Sequence, residues 1–218
     1  MIFIHVEGSF DEKVITHLLI KKFGNIEGKI EFKTSNGKEA LLSTAQLKFF
    51  YYSNKNEYAP IRIFLCDLHP YNIPKELDHQ SVEELRNSID GLLNITDNRQ
   101  KQKRMRILRF FALKYNLEVL FIADIEKVFS YLKIPQDEQN KYLGRFNKKS
   151  PEETPYHNQN HEKEIINDIF SQVGEEYSIQ NVIELSKLLD VKVLEEKLPS
   201  FREFLECIGE LLSQQQQE

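Results

Sequence analysis

The chain has 218 residues, 40% of them hydrophobic and 11% aromatic, enough for one sizeable core with a small appended helical unit. A net charge of -5 provides no global basic field, which argues against a passive nucleic-acid coat but not against an enzyme with local basic contacts. There are two cysteines, far apart and without partners at metal-ligand spacing. No apolar run reaches the length of a membrane span, and no signal-like segment opens the chain, so a cytoplasmic protein is expected.

In chain order, "MIFIHVEG" is β-branched, aromatic and bounded by glycine, which predicts a strand. "DEKVITHLLIKKF" places Val14, Ile15, Leu18 and Leu19 at helical spacing behind acids in the first turn, and Gly24 is a natural stop. "KIEFKT" alternates as a second strand, "SNGK" is a turn, and "EALLSTAQLKFFYY" is apolar at helical spacing. "APIRIFLCDLHPYN" gives another strand, closed by Pro70, with Cys66 expected as a buried reduced thiol. Ser81 followed by Glu84 is a capping box opening a helix. "RQKQKRMR" is a basic block ahead of an apolar one, and "LEVLFIADIEKVFSYL" is expected to be a strand passing into a helix near Asp124. Residues 135–163 are Pro-rich and polar and are expected to form a loop or excursion. The remainder is helical, ending in a frayed "QQQQE".

Strands alternating with helices predict parallel βαβ units in an α/β fold, where ligands gather at the C-terminal ends of the strands. Two of the apolar strands end in acids, Glu7 and Asp67. Glu7, Asp11, Asp67 and His69 form a candidate metal-binding group, and Asp124 and Glu126 are a third contribution from the next expected strand end. Oxygen clusters of this kind suit Mg²⁺ or Mn²⁺, the ions of metal-assisted phosphodiester hydrolysis. Taken singly, Asp11 is equally a first-turn helix residue, Asp67 a turn former and Asp124 a helix cap. Lys101, Lys103, Arg104 and Arg106 of the basic block are the candidate contacts to a phosphate backbone. Lys38 follows a glycine but lacks P-loop spacing, and "FFYY" offers rings for base stacking or for the core.

The segments "VEGSFDE" and "FLCDLHPYN" resemble the Toprim domain shared by topoisomerases, bacterial primases and OLD-type nucleases. Its first motif, a glutamate and glycine ending the first strand, is matched by Glu7 and Gly8, with Asp11 and Glu12 following. Its second, Asp-x-Asp, is here Asp67-Leu68-His69, so histidine replaces the second acid. "ADIEKVF", with Asp124 and Glu126, is similar to the further acidic pair of the OLD-type branch.

The resemblance implies a Toprim-like core over residues 1–134, an excursion over 135–163 and a C-terminal helical segment over 164–218. It also implies Mg²⁺ or Mn²⁺ as cofactor, DNA or RNA as substrate, and Glu7 as general base or ligand. Small standalone members of the group resemble components of phage-defence or mobile-element systems, so a partner protein is expected and a homo-oligomer stays open. Imidazole suits Mn²⁺ better than Mg²⁺, so His69 leaves two readings: a nuclease with altered metal choice, or a catalytically degenerate interaction module.

Overall fold

The computed structural model describes residues 1–53, 60–68, 79–114, 116–143, 151–153 and 161–215. Four strands, β1 (Ile2–Val6), β2 (Ile30–Thr34), β3 (Ile61–Asp67) and β4 (Leu108–Leu113), form one sheet in the order β2-β1-β3-β4. All its pairings are parallel, with Ile2 beside both Ile30 and Ile61, and Asp67 beside Leu113.

Alternation along the strands divides the molecule into two apolar layers. Ile2, Ile4, Val6, Ile63, Leu65, Phe111 and Leu113 face the larger layer. It is covered by α1 (Ser9–Phe23) and by helices following β4. These are α6 (Val119–Ala123), α7 (Ile125–Leu132), α8 (Gln136–Leu143), α9 (His161–Gln172), α10 (Ile179–Leu188), α11 (Val191–Lys197) and α12 (Pro199–Gln215). Phe64, Cys66, Leu108, Phe110 and Ala112 face the smaller layer. Its cover is α2 (Gly37–Leu41), α3 (Thr44–Ser53), α4 (Val82–Leu92) and α5 (Asn98–Ile107). The result is a sheet between two helical layers.

Local chemistry sets the element ends. Gly24, at φ 75°, closes α1 in a conformation that disfavours a side chain. At α4 the Ser81 hydroxyl accepts from the Glu84 N–H at 3.1 Å, while the Glu84 carboxylate accepts from the Gln80 N–H at 2.6 Å. Cys66 and Cys207 are both buried free thiols.

Three expectations about local structure change. The basic block is helix α5 and leads straight into β4, so the last strand is "LRFFAL" rather than "LEVLFIA". The latter is helix α6, buried along its whole length; its apolar run serves a helix enclosed by other helices, which periodicity cannot tell from a buried strand. Within 135–163, α8, a short 3-10 turn at Pro151–Glu153 and the start of α9 are helical, and Tyr142 of α8 is buried against Phe129. Among the described residues, no helix is long and apolar enough to cross a membrane.

Candidate metal centre

The chain leaves β1 towards β2 on one side and reaches β3 on the other, so the strand order reverses between β1 and β3. In parallel sheets such a switch point opens a crevice beyond the C-terminal strand ends. Glu7 follows the last residue of β1 and Asp67 ends β3, which places both acids at that crevice. Their contact is direct: the Asp67 N–H donates to Glu7 Oε1 at 2.8 Å. Asp11 joins them from the first turn of α1, where its Oδ2 accepts from the Gly8 N–H at 2.8 Å. The same carboxylate therefore caps its own helix and faces Glu7.

The three carboxylates line a cavity of about 10 Å³, closed by Ile15, Leu65, Cys66, Leu113 and Leu117. That is room for roughly one water or small ion and no more. Burial is the largest influence on all three acids and pushes each towards the neutral form. Asp11 is raised to about 7 by desolvation and then by Glu7, against the opposing Gly8 hydrogen bond. Asp67 is raised well above the carboxylate range by burial, with Glu7, Asp11 and Glu118 adding to it. Glu7 is raised less freely, because the Asp67 N–H and Lys38 favour its charge.

Lys38 has a place here that its sequence context did not disclose. It is 2% exposed, its Nζ donates to the Leu68 carbonyl at 2.7 Å, and its charge partly offsets Glu7 and Asp67. Buried in this way, it does not reach a phosphate at the surface.

The further acid whose charge reaches Asp11 and Asp67 is Glu118, and Asp124 and Glu126 are directed elsewhere. Glu118 lies beyond the end of β4, is 6% exposed, and accepts from the Tyr177 hydroxyl at 2.9 Å. Its charge acts on both Asp11 and Asp67. Behind it, Glu162 of α9 is 1% exposed, and among the described residues neither carboxylate oxygen has a partner beyond its own backbone amide. Asp124 is turned into the C-terminal helices instead, where Oδ2 accepts from the Asp190 N–H at 2.7 Å; Glu126 is exposed on the first turn of α7. The cause is the helix in place of the expected strand: α6 carries both acids away from a strand end. One signal for Glu118 was available, an acid a few residues past the apolar "LRFFAL" run. His69 lies outside the described residues.

The basic block also lands elsewhere. Leu108, directly after α5, registers with Arg62 near the start of β3, so α5 meets the sheet at the edge opposite the acids. Lys101, Lys103 and Arg106 are exposed there. Arg104 is not available to a phosphate: it is 5% exposed, and its Nε donates to Asp90 Oδ1 at 2.9 Å.

The chain superposes on the C-terminal region of the Burkholderia pseudomallei OLD protein with a TM-score of 0.54, at 14% identity over 94% of each chain. The fold is Toprim-like. The C-terminal region of the Xanthomonas campestris pv. campestris OLD protein gives a TM-score of 0.44 at 14% identity over 95% of each chain, too low to add to that assignment. No family model matches the chain, and no curated protein matches it in sequence.

Within this Toprim-like fold the donor chemistry suits a hard divalent cation: oxygen donors, an ion-sized cavity and repulsion between carboxylates that Lys38 offsets only in part. Yet among the described residues no three acidic, histidine or cysteine side chains stand in a geometry already able to hold a metal ion. The acids converge without closing.

Proposed function

We propose that the chain is a metal-dependent nucleic-acid phosphodiester hydrolase acting at the Glu7–Asp11–Asp67 crevice, with DNA or RNA as substrate. The observation that carries this is the convergence of desolvated, mutually repelling carboxylates on an ion-sized cavity at the switch point of the sheet. Bound Mg²⁺ or Mn²⁺ would polarise the phosphodiester and lower the pKa of the attacking water. Asp67 and Asp11 would hold the ion, His69 is a further ligand on its sequence position alone, and Glu7 would either join them or take the proton from water. The Asp67 N–H fixes the Glu7 carboxylate in orientation, and buried Lys38 keeps it ionised more readily than burial alone would. Glu118, oriented by Tyr177, adds negative charge at Asp11 and Asp67 and so increases their demand for a cation.

The absence of a closed donor set among the described residues favours a second reading, the catalytically degenerate Toprim-like interaction module. Cleavage of supercoiled plasmid and of a structured RNA, with Mn²⁺ or Mg²⁺, separates the two. The nuclease cuts at least one of them, and Glu7→Gln lowers the rate roughly 100-fold or more, the scale of losing a positioned acid–base group. Equal cutting by wild type and variant would place the chemistry elsewhere. No cutting, together with no heat of Mn²⁺ binding, would leave the interaction module.

A further inference from the structure

Helix α5 carries five basic residues and no acid, in a chain whose net charge is -5. One of the five, Arg104, is buried on Asp90. The other four, Arg99, Lys101, Lys103 and Arg106, are exposed. Like charges left in water on one helix repel one another, so this face carries a cost that an anionic partner would remove.

The last turn of α3 is tied to α5 and its neighbour. The Tyr51 hydroxyl donates to the Gln100 carbonyl at 3.5 Å and the Tyr52 hydroxyl to the Leu93 carbonyl at 2.8 Å. The Lys103 ammonium lies 4.7 Å from the centre of the Tyr51 ring. Two further rings of α3 lie in water, Tyr52 being edge-on to Tyr51 at 5.0 Å. Phe49 is 65% exposed and Tyr52 is 50% exposed, one helical turn apart on α3. Tyr52 is held by its hydroxyl, and Phe49 leans edge-on against Phe50 at 5.8 Å. Tyr52 is thus held with half of its surface open, and Phe49 stands largely in water.

Exposed cations on one helix and exposed aromatic rings on the helix packed against it are the recognition chemistry of single-stranded nucleic acid, whose bases stack while its phosphates are neutralised. An acidic peptide would use the cations and leave the rings unexplained. We propose that the face of α3 and α5 is a second binding surface, for single-stranded DNA or RNA, separate from the carboxylate crevice. Leu108 and Leu113 mark the two ends of β4, five residue steps apart, or roughly 17 Å along the sheet. A strand gripped at this face is held without touching the acids. Its use in positioning a substrate rests on the proposed nuclease activity; the binding itself does not.

The test is fluorescence anisotropy of labelled single-stranded DNA and RNA oligonucleotides with the full chain in EDTA, over a salt series. Wild type binds at least one of them, with log affinity falling by about 0.7 per log unit of salt for each phosphate neutralised. Lys101→Gln/Lys103→Gln/Arg106→Gln, checked for folding by circular dichroism, flattens that slope by about 2 and weakens binding at low salt about 10-fold or more. Phe49→Ala weakens binding about 5-fold or more while leaving the slope unchanged. Glu7→Gln binds as wild type does. A preference between the two oligonucleotides identifies the strand type.

Unchanged affinity and slope in the triple variant would overturn the proposal, as would loss of binding in Glu7→Gln. Displacement by polyglutamate with no effect of Phe49→Ala would make this a protein-docking surface instead. If wild type binds as described and cuts nothing with Mn²⁺ or Mg²⁺, the nuclease reading falls and this surface stands.

Discussion

The two edges of the sheet handle charge in opposite ways. At the N-terminal edge, the cation that is buried has a partner: Arg104 is closed on Asp90. The other cations of α5 remain in water, where charge is cheap. At the C-terminal edge, Glu7, Asp11, Asp67 and Glu118 are drawn from water with Lys38 as the cation opposing Glu7 and Asp67. At one edge the fully buried cation is matched by a single carboxylate, while at the other four carboxylates share one lysine. Local departures of this kind concentrate at functional or strained sites, which is the ground for the metal-centre proposal at the acid edge.

The largest expected effect comes from leaving a buried charge unmatched at the N-terminal edge. Arg104→Met leaves Asp90 buried without its cation, and urea unfolding should show a loss of about 3–5 kcal/mol. Combining it with Asp90→Leu should recover most of that loss, because two apolar side chains need no counter-charge. A double variant as unstable as the single one would mean that packing around Arg104, rather than its charge, holds α5 in place.

The next effect is smaller and belongs to the carboxylate edge. A cation bound there at 100 times its Kd should stabilise the fold by about 2.7 kcal/mol, and EDTA should reverse this. Asp67→Asn should remove most of the gain, while the triple glutamine variant of α5 should keep it. Thermal melts with and without Mn²⁺ decide between an acid cluster that takes an ion and one that does not. Equal stabilisation of wild type and Asp67→Asn would move the cation site away from the crevice.

Much of this arrangement was legible in the residues. Glu7 and Asp67 stood out because each follows an apolar run with strand character, and the parallel topology brings those runs together as neighbours. Asp11 was legible as well, though its double engagement with Gly8 and Glu7 was not. Two parts were hidden for physical reasons. The run "VLFIA" is apolar on every side because α6 is enclosed by other helices, so its pattern carries no period to separate helix from strand. That displaced Asp124 and Glu126 and concealed Glu118. Lys38 was hidden because a buried lysine is rare, and its partners lie in segments distant along the chain. The basic block was found, but its side of the sheet depended on where β4 began.

Glu162 gives the most specific test of the contrast between the edges. Its carboxylate is raised to about 7 by burial, with the nearby Glu118 charge adding to it. The folded protein therefore binds that proton more tightly than the unfolded chain does. Between the ordinary glutamate value and about 7, the folded state carries more protons, so stability falls as pH rises through that window. Above it the whole penalty is present, and below the ordinary value it is absent. Glu162→Gln cannot ionise, so its stability should decline less than that of wild type between pH 4 and pH 8, by about 1.4 kcal/mol for each unit that the Glu162 pKa is raised. The comparison of slopes matters because a glutamine amide buried in the same place has its own unpaired donors, which shift stability equally at every pH. Chemical denaturation of both proteins across this range measures the difference directly. Parallel curves would mean that Glu162 is already compensated at neutral pH, and that it is matched as Arg104 is at the other edge.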